Sequence, residues 1–295
     1  MITFSNGHRC KFMTASGALA YDGGGWPWEK PLRWMGCIDP TLFTNVTKTL
    51  TQTPREGNLR WSHPWSVVKK IAGGGVVNAI GLTNPGIHWW LEFVAPNVPE
   101  DRHLVVSIEA RSEMEVAEMV QLLDGQNIQG IELNFSCPNT QDHEDRTTEK
   151  IVAIGRKAAK LSHLPLIAKL SYTQDYIAVA RELSHEKRIE AFSINSVPWG
   201  VVFPDRPSPL AAFGGGGVSG KRVQDFTWGM VEELAIATAV PVIGPSVWEY
   251  DDIQRVTDKG AKAVSFGSIF VHHPTRPTKF VRRWIREHVK PMPPQ

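Results

Sequence analysis

Short apolar or β-branched runs alternate with amphipathic helical patterns along this 295-residue chain. The runs that we predict to be strands are Phe12–Ala15, Phe43–Thr47, Leu104–Ile108, Gly130–Phe135, Leu166–Leu170, Ala191–Asn195, Pro241–Gly244 and Ala263–Gly267. The predicted helices are Arg111–Leu123, Thr147–Leu161, Gln174–Leu183, Val223–Thr238, Asp251–Lys259 and Thr275–His288. Because strands that alternate with helices form βαβ units and parallel sheets, eight such strands predict a (β/α)8 TIM barrel built from residues 1–295 as one domain. An open doubly wound sheet is the alternative.

Three long segments interrupt this alternation, and all three are rich in Gly, Pro and Trp. They cover residues 22–31, 51–99 and 198–220. The apolar run Val76–Ile80 falls within the second segment, and we assign it to that excursion rather than to the barrel. Loops of this length in a compact domain are usually functional. We therefore expect long loop insertions at the C-terminal face of the strands, where barrel enzymes hold their sites.

Composition and charge exclude several kinds of partner. The formal net charge is only +2, which argues against a nucleic-acid or anionic-membrane surface. No apolar run approaches the roughly 20 residues of a membrane-spanning helix, and the N-terminus lacks the apolar stretch of a secretory signal. The cysteines Cys10, Cys37 and Cys137 are far apart, which favours free thiols in a reducing compartment and no metal site. We expect a cytoplasmic protein.

Tryptophan is frequent, with 11 residues in the chain and most of them in its first third. Core and interface packing is the simplest interpretation. Because Trp also favours subunit interfaces, a homodimer is a second interpretation.

Polar residues gather where the predicted strands end. They are Thr14–Gly17, Thr47–Thr49, Asn134, Lys169, Asn195–Ser196, Gly244–Ser246 and Gly267–Ser268. Two lysines, several amides and no aspartate or histidine favour an electron-rich, anionic ligand. Lys48 or Lys169 could instead form the Schiff base of a barrel lyase, or pair structurally with a carboxylate.

A glycine run, Gly214–Gly217, stands shortly before the predicted helix Val223–Thr238. Together with the ends of strands seven and eight it resembles a barrel phosphate site, in which backbone N–H groups and a helix N-terminus meet an anion. A flexible loop explains the glycine run about as well. Combined with the two strand-end lysines, the pattern favours a phosphate-bearing cofactor.

The segment Glu132–Thr140, ELNFSCPNT, closely resembles the signature of dihydroorotate dehydrogenases. Further segments resemble that family in the same order: FMTASG, TKT followed by TPREGN, NAIGLTNPG, AKL, INS, GGVSGK and FGSIF. The resemblance covers most of the chain, and it implies a barrel that binds FMN and oxidises the small molecule dihydroorotate to orotate. A divergent FMN oxidoreductase that acts on another dihydropyrimidine or a related ring is the alternative.

The resemblance also implies roles for individual residues. The implied catalytic residues are Cys137 and Lys48. The implied substrate-binding residues are Lys48, Asn78, Ile80, Gly81, Leu82, Asn134, Asn139, Asn195 and Ser196. The implied FMN-binding residues are Ala15, Ser16, Lys48, Asn134, Lys169, Ser219, Gly220, Gly244, Ser246, Gly267 and Ser268.

Cys137 is the implied base that takes a proton from C5 of the substrate ring. A thiol has an ordinary pKa of about 8.5, so a nearby cation such as Lys48 would need to lower it only modestly. Cysteine at this position resembles the soluble branch of the family, because the membrane-associated, quinone-linked branch carries serine there. Soluble members are either homodimers that use fumarate or NAD users with an iron–sulfur partner. With no cysteine cluster of its own, the chain favours the homodimer with fumarate as oxidant.

Three short segments depart from the family pattern. Ser246-Val247 stands where the family usually has a Gly-Gly pair after strand seven, and a side chain there would crowd a cofactor phosphate. QDHEDR, residues 141–146, replaces a Pro-Gly-Lys-like turn, and TASG replaces the more usual NASG. These changes leave room for a divergent substrate or reduced activity.

Overall fold

Strands and helices follow one another in the computed structural model, which describes residues 1–60, 62–135 and 147–289. The strands are β1 Ile2–Thr3, β2 Arg9–Cys10, β3 Phe12–Thr14, β4 Asn45–Val46, β5 Val68–Lys70, β6 Val76–Asn78, β7 Leu104–Glu109, β8 Gly130–Asn134, β9 Leu166–Leu170, β10 Ile189–Ile194, β11 Val197–Pro198, β12 Gly217–Ser219, β13 Ile243–Gly244 and β14 Ala263–Phe266. The helices are α1 Lys30–Trp34, α2 Ile87–Phe93, α3 Glu113–Leu123, α4 Thr148–Leu161, α5 Tyr176–Leu183, α6 Trp199–Val202, α7 Gln224–Ala237, α8 Asp252–Asp258, α9 Ile269–His272 and α10 Arg276–His288.

Eight parallel strands close into a barrel. The order β4-β7-β8-β9-β10 forms one continuous parallel sheet, and β13-β14-β3 forms another. Single parallel bridges join the two sheets at both seams, between Met13 and Thr44 and between Phe192 and Val242. The predicted (β/α)8 barrel is therefore confirmed, and the open doubly wound sheet is not what the chain forms.

The barrel interior changes from apolar to polar along the strands. Near the amino ends, a buried apolar layer takes one residue from seven of the eight barrel strands, among them Val105 of β7, Ile167 of β9 and Ala191 of β10. The hairpin of β1 and β2 adds apolar side chains to the same layer. Because side chains alternate across a strand, the next inward position two residues on is Ser107 in β7 and Lys169 in β9. The strand sequences thus make the barrel interior apolar near the amino ends of the strands and polar towards their carboxyl ends.

The outer helices begin where the sequence pattern predicts them. The side chains of Ser112, Thr147 and Asp175 accept hydrogen bonds from backbone N–H groups in the first turns of α3, α4 and α5. An N-cap residue of this kind lies outside the helix that it caps, so each helix starts one or two residues after the predicted position. Within the described ranges, no helix combines the length and the apolar content that crossing a bilayer requires.

The excursions that follow the second and sixth barrel strands meet in one antiparallel sheet. Its order is β11-β12-β6-β5, and the central pair aligns Gly217 with Asn78. The assignment of Val76–Ile80 to the excursion is confirmed, since β6 belongs to this sheet and not to the barrel. No sequence pattern predicted that two excursions far apart in the chain would pair with each other.

Candidate active site

A large cavity opens at the carboxyl ends of the barrel strands. Its volume is about 680 Å³, which is within the usual range for small-molecule and cofactor sites. The barrel strands form the floor of the cavity. The antiparallel sheet β11-β12-β6-β5, the excursion sheet, contributes Val68, Val76 and Asn78 to its wall. The prediction that the site stands at this face of the barrel agrees with the position of the cavity.

Nearly all of the predicted site residues that the structure describes line this one cavity. They are Ala15, Ser16, Lys48, Asn78, Ile80, Gly81, Leu82, Asn134, Lys169, Asn195, Ser196, Ser219, Gly220, Ser246, Gly267 and Ser268. Cys137 and Asn139 lie outside the described residues. The structure therefore brings together residues from seven separate strand ends and from the second and third long excursions.

Gly244 is the exception among the described predictions. It is not part of the cavity lining. A Cβ added there would come within 2.5 Å of Val256 in α8 and 2.9 Å of Ala261 in the segment after α8. The glycine at this position is explained by close packing between strand and helix, which argues against its predicted role in cofactor binding.

The glycine run before β12 also differs from the phosphate loop that we predicted. Gly214, Gly215 and Gly216 all have positive φ, at 80°, 89° and 80°, and none of them lines the cavity. A Cβ on Gly216 would lie 2.7 Å from the carbonyl oxygen of Asn78. These glycines turn the chain into the excursion sheet, and only the later Ser219 and Gly220 reach the cavity.

A hydrogen-bonded polar network forms the floor of the cavity. At its centre is Glu132, whose side chain is only 3% exposed. Its Oε1 accepts from Ser107 Oγ at 2.9 Å and from Lys169 Nζ at 3.3 Å, and its Oε2 accepts from Ser193 Oγ at 3.1 Å. The carboxylate is thus held by donors from β7, β9 and β10, and Lys169 forms the structural ion pair that the sequence left open.

The network continues from Ser107 towards the first two barrel strands. Ser107 Oγ and Thr49 Oγ1 are 2.9 Å apart, and Thr49 Oγ1 is in turn 2.9 Å from Ser16 Oγ. The side-chain amide of Asn134 donates to Thr49 Oγ1 at 3.3 Å. Side chains from the first four barrel strands are therefore coupled to the buried Glu132–Lys169 pair.

Sequence reasoning gave no site role to Ser107, Glu132 and Ser193, and it placed Thr49 at a strand end without a role. The signal that would have found two of them is strand periodicity, because residues two apart on one strand face the same side. Glu132 stands two before Asn134, and Ser193 two before Asn195, so each shares the inward face of a residue that was assigned to the site. A carboxylate on the inward face of a barrel strand needs a charged partner, and Lys169 on the neighbouring strand supplies it.

Backbone strain concentrates at this cavity. Among the described non-glycine residues, Ala20, Leu82 and Ser246 have left-handed φ, at 62°, 60° and 65°. Leu82 and Ser246 both line the cavity. Such conformations cost energy and gather at functional sites. Gly81 immediately before Leu82 also has positive φ, at 68°, so two consecutive residues present left-handed backbone to the cavity.

Ser246 adopts the backbone conformation that glycine would take at the same position. Its hydroxyl oxygen accepts from Thr227 Oγ1 at 3.1 Å, and its carbonyl accepts from the Gln224 side chain at 2.9 Å. Asp252 braces the residues that follow by accepting from the backbone N–H of Trp248 at 3.0 Å. The Ser246 side chain is thus directed to α7, and the crowding that the sequence predicted from Ser246-Val247 is reduced.

Aromatic residues and a buried carboxyl stand on one side of the cavity. Trp28 and Trp65 line it while being 56% and 60% exposed, so they mark its opening. The ring of Trp26 stacks on Trp28 with centroids 5.4 Å apart, and its Nε1 donates to the carbonyl of Gly17 at 3.1 Å. Glu29 also lines the cavity, and its Oε2 accepts from the Trp26 backbone N–H at 2.8 Å. Burial raises the pKa of Glu29 to about 7.

Comparison with known proteins assigns a family to this barrel. The family model described as dihydroorotate dehydrogenase matches residues 38–287. Over 262 residues the chain is 30% identical to the "Dihydroorotate dehydrogenase B (NAD(+)), catalytic subunit" of Thermoanaerobacter pseudethanolicus, with 87% of this chain and 82% of that protein covered.

The chain belongs to the dihydroorotate dehydrogenase family.

Two further matches extend over almost the whole chain. The protein of the same name from Pelobacter propionicus is 29% identical over 292 residues, covering 94% of this chain and 90% of that protein. A crystal structure of DHODH in complex with ferulenol from Eimeria tenella superposes with a TM-score of 0.68 at 15% identity, covering 95% of this chain and 82% of that one. The second match supports the fold.

Dihydroorotate dehydrogenases are FMN-dependent oxidoreductases that act on a CH–CH bond, which confirms the predicted enzyme class and cofactor. The Schiff-base lyase is therefore not retained as an alternative. No group of three or more metal-ligating side chains occurs within the described part of the chain.

The phosphate end of the cavity fits such a cofactor. A Cβ on Gly220, whose φ is 99°, would lie 2.8 Å from Ser268 Oγ and 2.9 Å from the Cα of Gly75. The backbone N–H groups of Ser246 and Val247 donate to no other described residue. Unlike Gly244, Gly220 lines the cavity, as do Ser246, Val247 and Ser268. Close backbone packing without a side chain at Gly220 and free backbone donors at Ser246 and Val247 thus occur in the lining of one cavity, which suits a phosphate.

Proposed function

We propose that the chain oxidises dihydroorotate to orotate, with FMN in the cavity at the carboxyl end of the barrel. The observation that carries the proposal is the convergence of the predicted residues on one cavity of about 680 Å³. Those residues come from distant segments of a chain that belongs to the dihydroorotate dehydrogenase family. FMN, when bound, accepts the hydride that leaves C6 of the substrate ring.

Three kinds of residue would hold FMN. Ser219, Gly220, Ser246, Gly267 and Ser268 would hold the phosphate end through backbone N–H groups and hydroxyls. Ala15 and Ser16 would contact the ring system. Lys48 and Lys169 would provide positive charge beside the ring, where negative charge develops as the hydride arrives. Both lysines line the cavity and are buried, so water screens their charges less than it would at the surface.

Amides and backbone donors would bind the substrate, which is a flat ring with carbonyl and N–H groups and one carboxylate. Asn78, Asn134 and Asn195 can both donate and accept. The backbone N–H groups of Gly81 and Leu82 donate to no other described residue, and they would receive the substrate carboxylate. Left-handed backbone at Leu82, a non-glycine residue, supports this assignment, because such strain gathers at functional sites.

The proton from C5 would pass to Cys137, a role that rests on the ELNFSCPNT motif. The two other cysteines are poor candidates. Burial raises the pKa of Cys10 to about 11, and Cys37 stands in the segment after α1 and does not line the cavity. Lys48 would lower the pKa of the Cys137 thiol by favouring the thiolate.

The experiment is anaerobic titration of the purified protein with dihydroorotate. We expect a flavin-coloured protein whose visible absorbance is lost on addition of dihydroorotate, with orotate formed in equal amount. Colourless protein that FMN cannot reconstitute would refute the proposal. Flavin that is reduced by another dihydropyrimidine but not by dihydroorotate would establish the divergent alternative.

Cys137→Ala tests the base. General-base removal typically costs about 10²–10⁴-fold in rate, so we expect the variant to keep its flavin and to lose most of its reduction by dihydroorotate at neutral pH. Cys137→Ser should recover activity only at higher pH. Cys37→Ala is the matched control, because it removes a thiol that does not line the cavity. Reduction of Cys137→Ala at the native rate would exclude this role.

For the electron acceptor, we propose NAD⁺ reached through a second subunit. The relatives from Thermoanaerobacter and Pelobacter carry names that describe an NAD(+)-type catalytic subunit, and this favours a different arrangement from the fumarate-linked homodimer that the sequence suggested. Fumarate and NAD⁺ should then both fail to reoxidise the isolated, reduced chain. Rapid reoxidation by fumarate would restore the homodimeric alternative. We further propose that residues 1–295 form one domain and act in the cytoplasm.

A further inference from the structure

Lys169 is anchored to Glu132 at the floor of the cavity. The distance from Lys169 Nζ to Glu132 Oε1 is 3.3 Å, and the two side chains are 11% and 3% exposed. Within residues 1–60, 62–135 and 147–289, Glu132 is the hydrogen-bond acceptor for this ammonium group. Since an ammonium group carries three donors and Lys169 lines the cavity, donors remain for a group bound there.

Glu132 is itself held rigidly. Each of its oxygens accepts from a serine hydroxyl, with Ser107 Oγ at 2.9 Å from Oε1 and Ser193 Oγ at 3.1 Å from Oε2. These donors belong to the strands β7 and β10, which flank β8 and β9 in the barrel. The carboxylate therefore has a fixed position, and it fixes Lys169 in turn.

The pair also sets the charge of the floor. A lone Lys169 would present a full positive charge to the cavity, whereas Lys169 and Glu132 both line the cavity and together form an ion pair without net charge. Positive charge near a ring that becomes negative on reduction stabilises the reduced form. Glu132 weakens that stabilisation because its negative charge is only 3.3 Å from Lys169.

We propose that Glu132 is a positioning residue that fixes Lys169 at the cavity floor and offsets its charge, and so lowers the affinity of the bound flavin for electrons. The inference rests on the proposed function, because it requires FMN in this cavity. It gives a reason for a buried carboxylate in contact with Lys169 among the amides and hydroxyls of the cavity floor. A cofactor that holds its electrons less tightly passes them on more readily.

The test measures the ratio of reduced to oxidised flavin in FMN-loaded protein at equilibrium with a reference dye, without substrate. In Glu132→Gln the carboxylate is replaced by a neutral group of the same shape. We expect the ratio to shift towards reduced flavin by about tenfold or more, and tenfold is about 30 mV for a two-electron couple. Lys169→Met removes the cation instead, and we expect a shift of similar size towards oxidised flavin.

The double variant Glu132→Gln with Lys169→Met separates charge from damage to the structure. It replaces a buried ion pair by two neutral groups, a change that proteins usually tolerate, and we expect its ratio to return to within about threefold of the native value. Shifts of opposite sign that cancel are the signature of paired charges. Glu190→Gln is the matched control, since it makes the same change in net charge on β10 at a carboxylate bonded to Ser5.

Three outcomes would overturn the inference: an unchanged ratio in Glu132→Gln, shifts of the same sign in both single variants, or an equal shift in Glu190→Gln. If Glu132→Gln does not fold, the native, Lys169→Met and double-variant proteins still decide the question, because without an offsetting pair the double variant would match Lys169→Met. These readings are independent of the dihydroorotate titration. A native protein that neither binds flavin nor oxidises dihydroorotate would instead refute the proposed function.

Discussion

Replacement of Glu29 by glutamine should stabilise the protein at alkaline pH but not at acid pH. Glu29 is 6% exposed, and burial raises its pKa from 4.5 to about 7 even though the Trp26 N–H and Arg33 act in the opposite direction. Because the folded state holds this proton more tightly than the unfolded state does, the stabilisation is complete below about pH 4.5 and is lost as the pH rises through about 7.

The size of the effect follows from the same values. At about 1.4 kcal/mol per pKa unit, the rise from 4.5 to about 7 corresponds to about 3 kcal/mol in the free energy of unfolding. Glutamine cannot ionise, and its side-chain oxygen can still accept from the Trp26 N–H. The stability difference between Glu29→Gln and the native protein should therefore be small near about pH 5 and should grow by about 2 kcal/mol or more by about pH 8.

Urea unfolding at a series of pH values measures this difference, because each transition gives a free energy of unfolding. Contributions from other titrating groups cancel between the variant and the native protein. Glu100→Gln is the control, since it removes a carboxylate that is exposed to solvent. A difference that is independent of pH, or that grows as the pH falls, would refute the reasoning.

Three other predictions concern packing. Gly220→Ala should weaken FMN retention at least tenfold in equilibrium dialysis, since its Cβ would come within 2.8 Å of Ser268 Oγ at a φ of 99°; unaltered retention would contradict the phosphate assignment. Gly244→Ala should instead lower the free energy of unfolding by about 1–3 kcal/mol in a urea titration and leave the flavin affinity of the folded protein near its native value. Trp90→Phe should lower the free energy of unfolding by about 1–3 kcal/mol, because Trp90 is fully buried and its Nε1 donates to the Tyr21 carbonyl at 2.8 Å. A midpoint of thermal unfolding equal to that of the native protein would contradict this.

The polar residues at the strand ends could be found from the sequence because each is determined locally. Lys169 follows the apolar run of β9 directly, and Asn134 ends the run of β8. In a parallel barrel all carboxyl ends lie at one face, so the element order alone brings these residues to the same side. The ELNFSCPNT motif then added a chemistry to that face.

Contacts between strands could not be found in the same way. The Glu132–Lys169 pair depends on β8 lying beside β9 with Asn134 opposite Lys169. The link from Ser107 to Thr49 and Ser16 depends on the stagger of three neighbouring strands, which a pattern within one strand does not contain. Likewise, the direction of the Ser246 side chain depends on its left-handed φ and on Thr227 of α7.

The sequence by itself determined the barrel, the face that carries the site and most of the residues that line the cavity. These follow from periodicity and element order, which are encoded by neighbours in the chain. The tertiary structure alone decided that Gly244 packs against the outer helices, that the two long excursions share one sheet, and that a buried carboxylate holds Lys169. Those features depend on register and on contacts between distant segments, which barrel closure fixes and local patterns do not.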